Sequence, residues 1–429
     1  MKEKFIKSTI TLMIGGLLTK VLGIIIKIVM TRLIGTEGIG LYMMILPTFT
    51  LFIGLSQFGL PVAVSKFVAE DDKNNIKLIS SLVVISILIN IILIITIILS
   101  ATFIANNLLH EKRCYLALLS IAVVIPLTSL SSIVRSYFFG KERMFPHVVS
   151  NITEDIIRLI TIIIGAKFFL SKGLNYAVCF IVLTNVISEL TSIIVLIFFI
   201  PKNTTIKKKD FLPSSKYIKE SLDIAIPNTF ARLIGSIGYF LETIILTNTL
   251  LFIGYKSKFI LYEYGILNGY VMPLVLLPSF FTLAISQALL PVVSRNYHER
   301  RTNSVKKKIQ QAIFFSLLIG IPVTISFLLF PNFYLKVIYN TTKGVEYLRF
   351  LAVICLFQYI QAPLSFSLDA MGKSSDNMKA VFIGTVLRTI LLFAFSLFKI
   401  GLWGLIFSTS INIIVVTIYS LKKVRLALT

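Results

Sequence analysis

Apolar positions along this 429-residue chain come in long runs broken by short polar segments. Residues 78–104 carry no charge at all, and residues 181–200 carry only Glu189. Each run reaches the roughly 20 residues that an α-helix needs to cross a bilayer core. Neither alternates with period 2, which sets aside a membrane β-barrel. The pattern predicts twelve spans, near 8–33, 38–65, 78–104, 114–139, 147–170, 174–200, 217–249, 260–293, 309–331, 347–371, 378–398 and 401–421. Several exceed the minimum length, which predicts tilt or extension beyond the bilayer.

The pattern also repeats. Ser56-Gln57-Phe58-Gly59-Leu60-Pro61 returns as Ser286-Gln287-Ala288-Leu289-Leu290-Pro291, 230 residues later. Gly140-Lys141 returns as Gly372-Lys373, and Arg158 returns as Arg388. Landmarks recurring in one order at half the chain length predict two copies of one architecture. Six spans per copy is an even number, so both copies insert the same way up. The expected fold is an all-α integral membrane protein of two six-helix lobes, related by a pseudo-two-fold along the membrane normal. Residues 1–200 read as the N-lobe, 201–216 as a basic cytoplasmic linker and 217–429 as the C-lobe. Two such lobes would enclose a cleft able to open to either side.

Composition agrees. The chain is 56% hydrophobic and 14% charged, too apolar for a water-soluble domain. The net charge of +23 would invite nucleic acid, but it is spread over short loops, where a topology rule predicts it. Nucleic acid is therefore not an expected partner. With span-edge residues counted to the nearer side, 25 Lys and Arg fall on the side of the N-terminus and 11 on the other. That excess places both termini in the cytoplasm of a multi-pass plasma-membrane protein. Lys207-Lys208-Lys209 and the basic loop 295–308 read as topology anchors near acidic lipid head groups. The first apolar segment is long, carries Lys20 and Lys27 and lacks a small-residue cleavage site, so no cleavable signal peptide is expected. Cys114, Cys179 and Cys355 lack metal-ligand spacing. There is no phosphate-binding loop, zinc helix or nucleophile elbow. Neither catalytic residues, nor a metal, nor a cofactor is expected.

Six basic residues remain inside spans: Lys20, Lys27, Arg135, Arg158, Arg232 and Arg388. Each costs about 2.5–3.5 kcal/mol at mid-bilayer, so it should face a cavity, pair with an acid or snorkel. Gly16, Lys20, Gly23, Lys27 and Thr31 fall on one face of the first span. That face suits a cationic cavity wall for phosphate oxygens; the bland alternative has Lys27 snorkelling and Lys20 paired. In the seventh span Asn228, Arg232, Gly235, Tyr239 and Glu242 form a second polar stripe. It reads either as an anion site at Arg232 with a proton or sodium site at Glu242, or as a structural seam. Glu154 and Asp155 lie four and three residues before Arg158, which predicts a structural ion cluster. Arg388 has no acid at that spacing, and Asp369 is a guess at its partner. Glu189 has no cation nearby in sequence and reads as a neutral hydrogen-bond donor or a proton carrier. Arg135, near a span end, is expected to snorkel. Pro47, Pro61, Pro278 and Pro291, with Pro273, punctuate the second and eighth spans, where they predict kinks or gates.

The stretch Leu22-Gly23 … Thr31-Arg32-Leu33-Ile34-Gly35-Thr36-Glu37-Gly38-Ile39-Gly40-Leu41-Tyr42 … Leu46-Pro47 resembles the opening of the polysaccharide flippases. Those form a branch of the multidrug/oligosaccharidyl-lipid/polysaccharide superfamily, and the likeness extends more weakly over the whole chain. The resemblance implies two six-helix lobes and export of an undecaprenyl-diphosphate-linked cell-envelope precursor. Such a precursor is lipid II-like or a polysaccharide unit, with spore cortex peptidoglycan as one destination. The expected partners are the polyprenyl-linked sugar and membrane lipids, and the expected oligomeric state is a monomer. The resemblance also implies cavity-facing basic residues on the first span; Lys20 matches one position, and Lys27 lies one residue from another. The family's basic doublet after Leu-Pro is replaced here by Thr48-Phe49-Thr50-Leu51-Phe52. Many relatives have a further pair of spans. Two other readings stay open, a cation-coupled multidrug antiporter of the same fold and a non-transporting scaffold for wall or spore assembly.

The charge count generates a topology test. In a cysteine-free background, a cysteine at Lys343 should react with an impermeant maleimide in intact cells. One at Lys208 should react only after permeabilisation.

Overall fold

A computed structural model describes residues 2–70, 75–200 and 213–428. The expected linker, with its lysine run, lies outside the described residues as far as position 212. Among the described residues every regular element is helical. A bilayer core offers no water to backbone N–H and C=O groups, and a helix satisfies them within one segment. Eight described helices are long and apolar enough to span, or nine if a pair bent by 49° counts as one. The chain is a multi-pass membrane protein. It divides into two compact units, Met1–Phe240 and Leu241–Thr429.

In the first unit, α1 (Lys2–Gln57) runs through both of the first two expected spans. It bends at Gly35, whose φ of 69° lies in the left-handed region. A Cβ there would meet nothing within 4 Å, so the backbone angle alone asks for glycine. Pro47 sits inside α1 without a comparable break. The chain turns sharply at Phe58 (φ 44°) and Gly59 (φ 59°) before α2 (Leu60–Ala69). Pro61 falls in the first turn of α2, where a missing N–H leaves nothing unpaired. Then follow α3 (Asn75–Phe103), α4 (Tyr115–Gly140), α5 (Met144–Lys172) and α6 (Leu174–Phe198). The first part of α7 (Ser215–Phe252) also belongs here. Its Tyr217, Leu222 and Ala225 pack on a core of Leu60, Val64, Phe67, Leu78 and Leu82. A side chain at Gly59 would collide with the Ala225 carbonyl.

The second unit continues with α8 (Ser257–Gly265), a π-helical turn (Ile266–Val271) and α9 (Met272–Val275). The 49° bend falls before α10 (Ser279–His298), at Pro278. Next come α11 (Thr302–Leu329), the short α12 (Pro331–Tyr339), α13 (Val345–Ala370), α14 (Ser374–Ser396) and α15 (Trp403–Leu428). Leu289, Val293, Ile309, Leu364, Leu368 and Val424 form a core joining α10, α11, α13 and α15.

Two pairs of helices start at the 230-residue shift of the hexapeptide. α4 and α13 begin at 115 and 345, α5 and α14 at 144 and 374, a constant shift of 230. After α4, the N–H groups of Lys141, Glu142 and Arg143 donate to the carbonyls of Tyr137, Phe139 and Phe138. After α13, Met371, Gly372 and Lys373 donate to Ser367, Asp369 and Leu368 in the same pattern. Gly372 (φ 71°) is thus the counterpart of Glu142 (φ 55°), and the Gly-Lys match is two residues out of register. The repeated hexapeptide itself takes two shapes. Its first copy breaks the chain between α1 and α2, whereas Ser286–Pro291 lies inside α10 with Pro291 in the helix. Gly59 admits a left-handed residue, and Leu289 stands in its place in the second copy.

Gly35→Ala should cost about 1–2 kcal/mol, the left-handed strain alone. Gly59→Ala should cost more, because a methyl group also meets a carbonyl. Unfolding of the purified protein in mixed micelles would rank the two.

Candidate functional site

Three helices of the first unit meet in one ionic network around Glu154. Glu154 lies on α5, nearly three turns of helix from the α4–α5 connection. Arg135 of α4 donates through Nη2 to Glu154, to Glu189 Oε2 at 3.1 Å and to Ser192 Oγ at 2.7 Å, the last two on α6. Arg158, one turn after Glu154, donates to the other Glu154 oxygen and to Asp155 Oδ1 at 3.4 Å. Glu154 and Glu189 are both buried. Two guanidinium groups and three carboxylates thus form one network within the span region. In a low-dielectric interior each charge is tolerable only while its partners stay in place.

Two expectations are corrected here. Arg135 does not snorkel; α6 brings two acceptors across to it. Glu189 is not a lone carboxylate, because its cation comes from 54 residues earlier in sequence. Glu154, Asp155 and Arg158 do lie together, and Arg135 and Glu189 extend their cluster.

Next to this network is a cavity of about 180 Å³, lined from α1 by Gly23, Lys27, Met30 and Tyr42, from α5 by Arg158 and from α6 by Asn185. The bend at Gly35 puts both halves of α1 on this cavity: Lys27 precedes it and Tyr42 follows it. Gly23 has open space where a Cβ would stand, and so does Gly16 on the same face. No acid lies within ion-pair distance of Lys27 among the described residues. Its backbone carbonyl accepts from Thr31 Oγ1 at 2.7 Å. The site therefore presents two cations, a phenol and an amide in an apolar wall, suited to a compact anion.

Of the three residues expected to form one cationic wall, Lys27 alone is among those that line this cavity. Lys20 is exposed on α1, close enough to Asp155 to act on its charge, and Arg232 is exposed on α7. Arg158, read from the sequence as structural, faces the cavity as well as its acids. The available signal was its recurrence as Arg388, a membrane cation kept in both copies.

In the second unit Arg388 of α14 pairs with Glu242 of α7. This replaces both the expected Arg232–Glu242 stripe and the guess at Asp369. Asp369 is exposed at the end of α13 and accepts from Asn377 Nδ2 at 3.0 Å. The counterpart of Glu154, 230 residues on, is Gly384, so Arg388 finds its acid on another helix. The pair borders a small cavity of about 30 Å³ beside Asn268, whose side-chain amide nitrogen has no protein partner. Of the remaining prolines, Pro47 and Pro291 lie within helices, and Pro61 and Pro278 lie at breaks.

Comparison with known proteins places this geometry in a family. A family model described as polysaccharide biosynthesis protein matches residues 5–297, and one described as MatE matches residues 235–394. The chain belongs to the polysaccharide biosynthesis protein family of the multidrug/oligosaccharidyl-lipid/polysaccharide superfamily. Within this family it is similar to stage V sporulation protein B of Bacillus subtilis (strain 168). The two are 32% identical, with 97% of this chain and 83% of the relative covered. It is 23% identical to the lipid II flippase MurJ of the same organism, over 91% of this chain and 77% of that protein. Among solved structures, an inward-facing MATE family transporter of the MOP superfamily matches with a TM-score of 0.73 at 17% identity. That match covers 96% of this chain and 94% of the other, and it supports the same fold for this family member.

The shared carboxylate sets an order of stability effects. Glu154→Gln leaves two half-buried guanidinium groups short of charge and should cost about 3 kcal/mol. Asp155→Asn, which loses one longer contact, should cost less than half as much in the same denaturation measurement.

Proposed function

We propose that this protein is a flippase that carries an undecaprenyl-diphosphate-linked cell-envelope precursor across the plasma membrane, with Lys27 and Arg158 receiving the diphosphate. The observation that carries the proposal is the meeting of these two cations, from different helices, in one largely apolar cavity. In such a cavity charge–charge attraction is several times stronger than in water. Placing Lys27 there without an acid makes sense if an anion arrives to complete it. The family match supports a lipid-linked sugar as cargo. The relatives named for lipid II and for sporulation make a peptidoglycan precursor, including that of the spore cortex, our choice within that class.

The transport cycle follows from the repeat. Twelve spans form two six-helix lobes that rock about the cargo, with both termini in the cytoplasm, where the basic loops favour them. Helix breaks at Gly59 and Pro278 are the places where spans can bend as access alternates. Glu242 is where a coupling proton or sodium ion would compete with Arg388. A multidrug antiporter of the same fold would need an acid free to bind cationic drugs. Glu189 and Glu242 are both engaged by arginines, which favours the flippase.

Reconstituted into liposomes with a fluorescent polyprenyl-diphosphate sugar, Lys27→Ala and Arg158→Lys variants should flip at least about tenfold more slowly. That corresponds to the loss of one charge-assisted or bidentate contact. Lys20→Ala should do less. Unchanged flipping in both cavity variants would refute the assignment of the diphosphate site.

A further inference from the structure

A second, larger cavity lies in the other unit, away from the residues of the candidate site. Three helices, α11, α13 and α15, enclose about 500 Å³. Its lining includes Lys306, Gln310 and Ile313 of α11, Leu364 of α13, and Leu421 and Arg425 of α15. No acidic residue lines it.

The cavity is polarised along the helix axes. Lys306 lies near the start of α11, Arg425 near the end of α15, and Leu364 near the end of α13. The two cations therefore share one end. Seven residues beyond Lys306, about 10 Å along the axis of α11, Ile313 lines the cavity together with Leu364 and Leu421. Lys306 has no hydrogen-bond or ion-pair partner among the described residues. The adjacent Lys423, by contrast, is held by Asp376 at 3.0 Å. The lysines of α11 also stand in its opening turns without an acid in the first turn, where a helix dipole disfavours positive charge. Helix stability does not account for them.

We infer that this cavity binds an anionic phospholipid, its phosphate between Lys306 and Arg425 and one acyl chain against Ile313, Leu364 and Leu421. The end-to-end order of charge and hydrocarbon matches that of such a lipid. A zwitterionic lipid would supply the same chain but would bring its own cation against the two basic side chains. Cations at the membrane surface each contribute on the order of 1 kcal/mol toward anionic head groups. The inference does not depend on the transport proposal, since it concerns neither the cargo nor Lys27.

The test is native mass spectrometry of the full chain in detergent, titrated with phosphatidylglycerol or with phosphatidylcholine of identical chains. Phosphatidylglycerol should bind at least about tenfold more tightly. A Lys306→Gln/Arg425→Gln variant should lose most of that preference while keeping its weak affinity for phosphatidylcholine. Ile313→Trp, which fills the cavity, should weaken phosphatidylglycerol binding with both cations intact, and Lys306→Arg should retain it. Excess glycerol phosphate should not compete. Equal affinity for the two lipids, undiminished binding in the double variant or in Ile313→Trp, or full competition by glycerol phosphate would each overturn the inference. Because no cargo is present, failure here leaves the flippase reading untouched.

Discussion

A positive charge inside a bilayer must be compensated, and that requirement organises this protein more than any other. At mid-span a lysine or arginine costs a few kcal/mol unless an acid, a cavity or the head-group region receives it. Arg135, Arg158 and Arg388 each meet an acid, and the helices that carry them are fixed in consequence. Glu154 is the hinge of the arrangement, because one carboxylate serves arginines from two helices while α6 supplies Glu189 and Ser192 as further acceptors for Arg135. Lys27 is treated differently. It is half-buried, without an acid, and opens into the cavity that Arg158 also lines. Structural charges and a receptive charge thus lie side by side, with Arg158 belonging to both.

The 230-residue recurrence in the sequence reaches the helices at some positions and not at others. The starts of α4 and α13, and of α5 and α14, hold one register, as do Arg158 and Arg388. The acids do not. Glu154 has Gly384 as its counterpart, and Arg388 turns to Glu242 on α7. Gly384 instead lets α15 approach closely, with Asn412 and Val416 where a side chain would otherwise stand. One unit keeps its arginine within a local cluster beside a cavity of about 180 Å³, and the other ties it to a helix far away in sequence. Helix positions depend on hydrophobic length, whereas the sites depend on a few polar residues, so the two can differ independently.

Much of the helical layout was legible. Segments expected at 114–139, 174–200 and 347–371 appear as Tyr115–Gly140, Leu174–Phe198 and Val345–Ala370, because apolar length and the polar loop residues fix both ends. Local ion pairing was legible too, since Glu154 and Arg158 are neighbours on a helix by spacing alone. The rest required packing. Arg135 finds acceptors 19, 54 and 57 residues away, and nothing in its own span announces them. Proline was a poor guide to bending: Pro47 passes without a break, while the bend in α1 comes at Gly35, where the backbone angle matters and the side chain does not. The one-face stripe on α1 was real as a spacing, but only the course of α5 and α6 shows that Lys27 is the lysine of that stripe that lines the cavity.

The most direct measurement is a structure determined with polyprenyl diphosphate bound. The account predicts the diphosphate in the first unit, within hydrogen-bonding distance of both Lys27 and Arg158, with the Glu154 network intact beneath it. A diphosphate held by Lys20 and Arg232, with the cavity between α1, α5 and α6 empty, would contradict it.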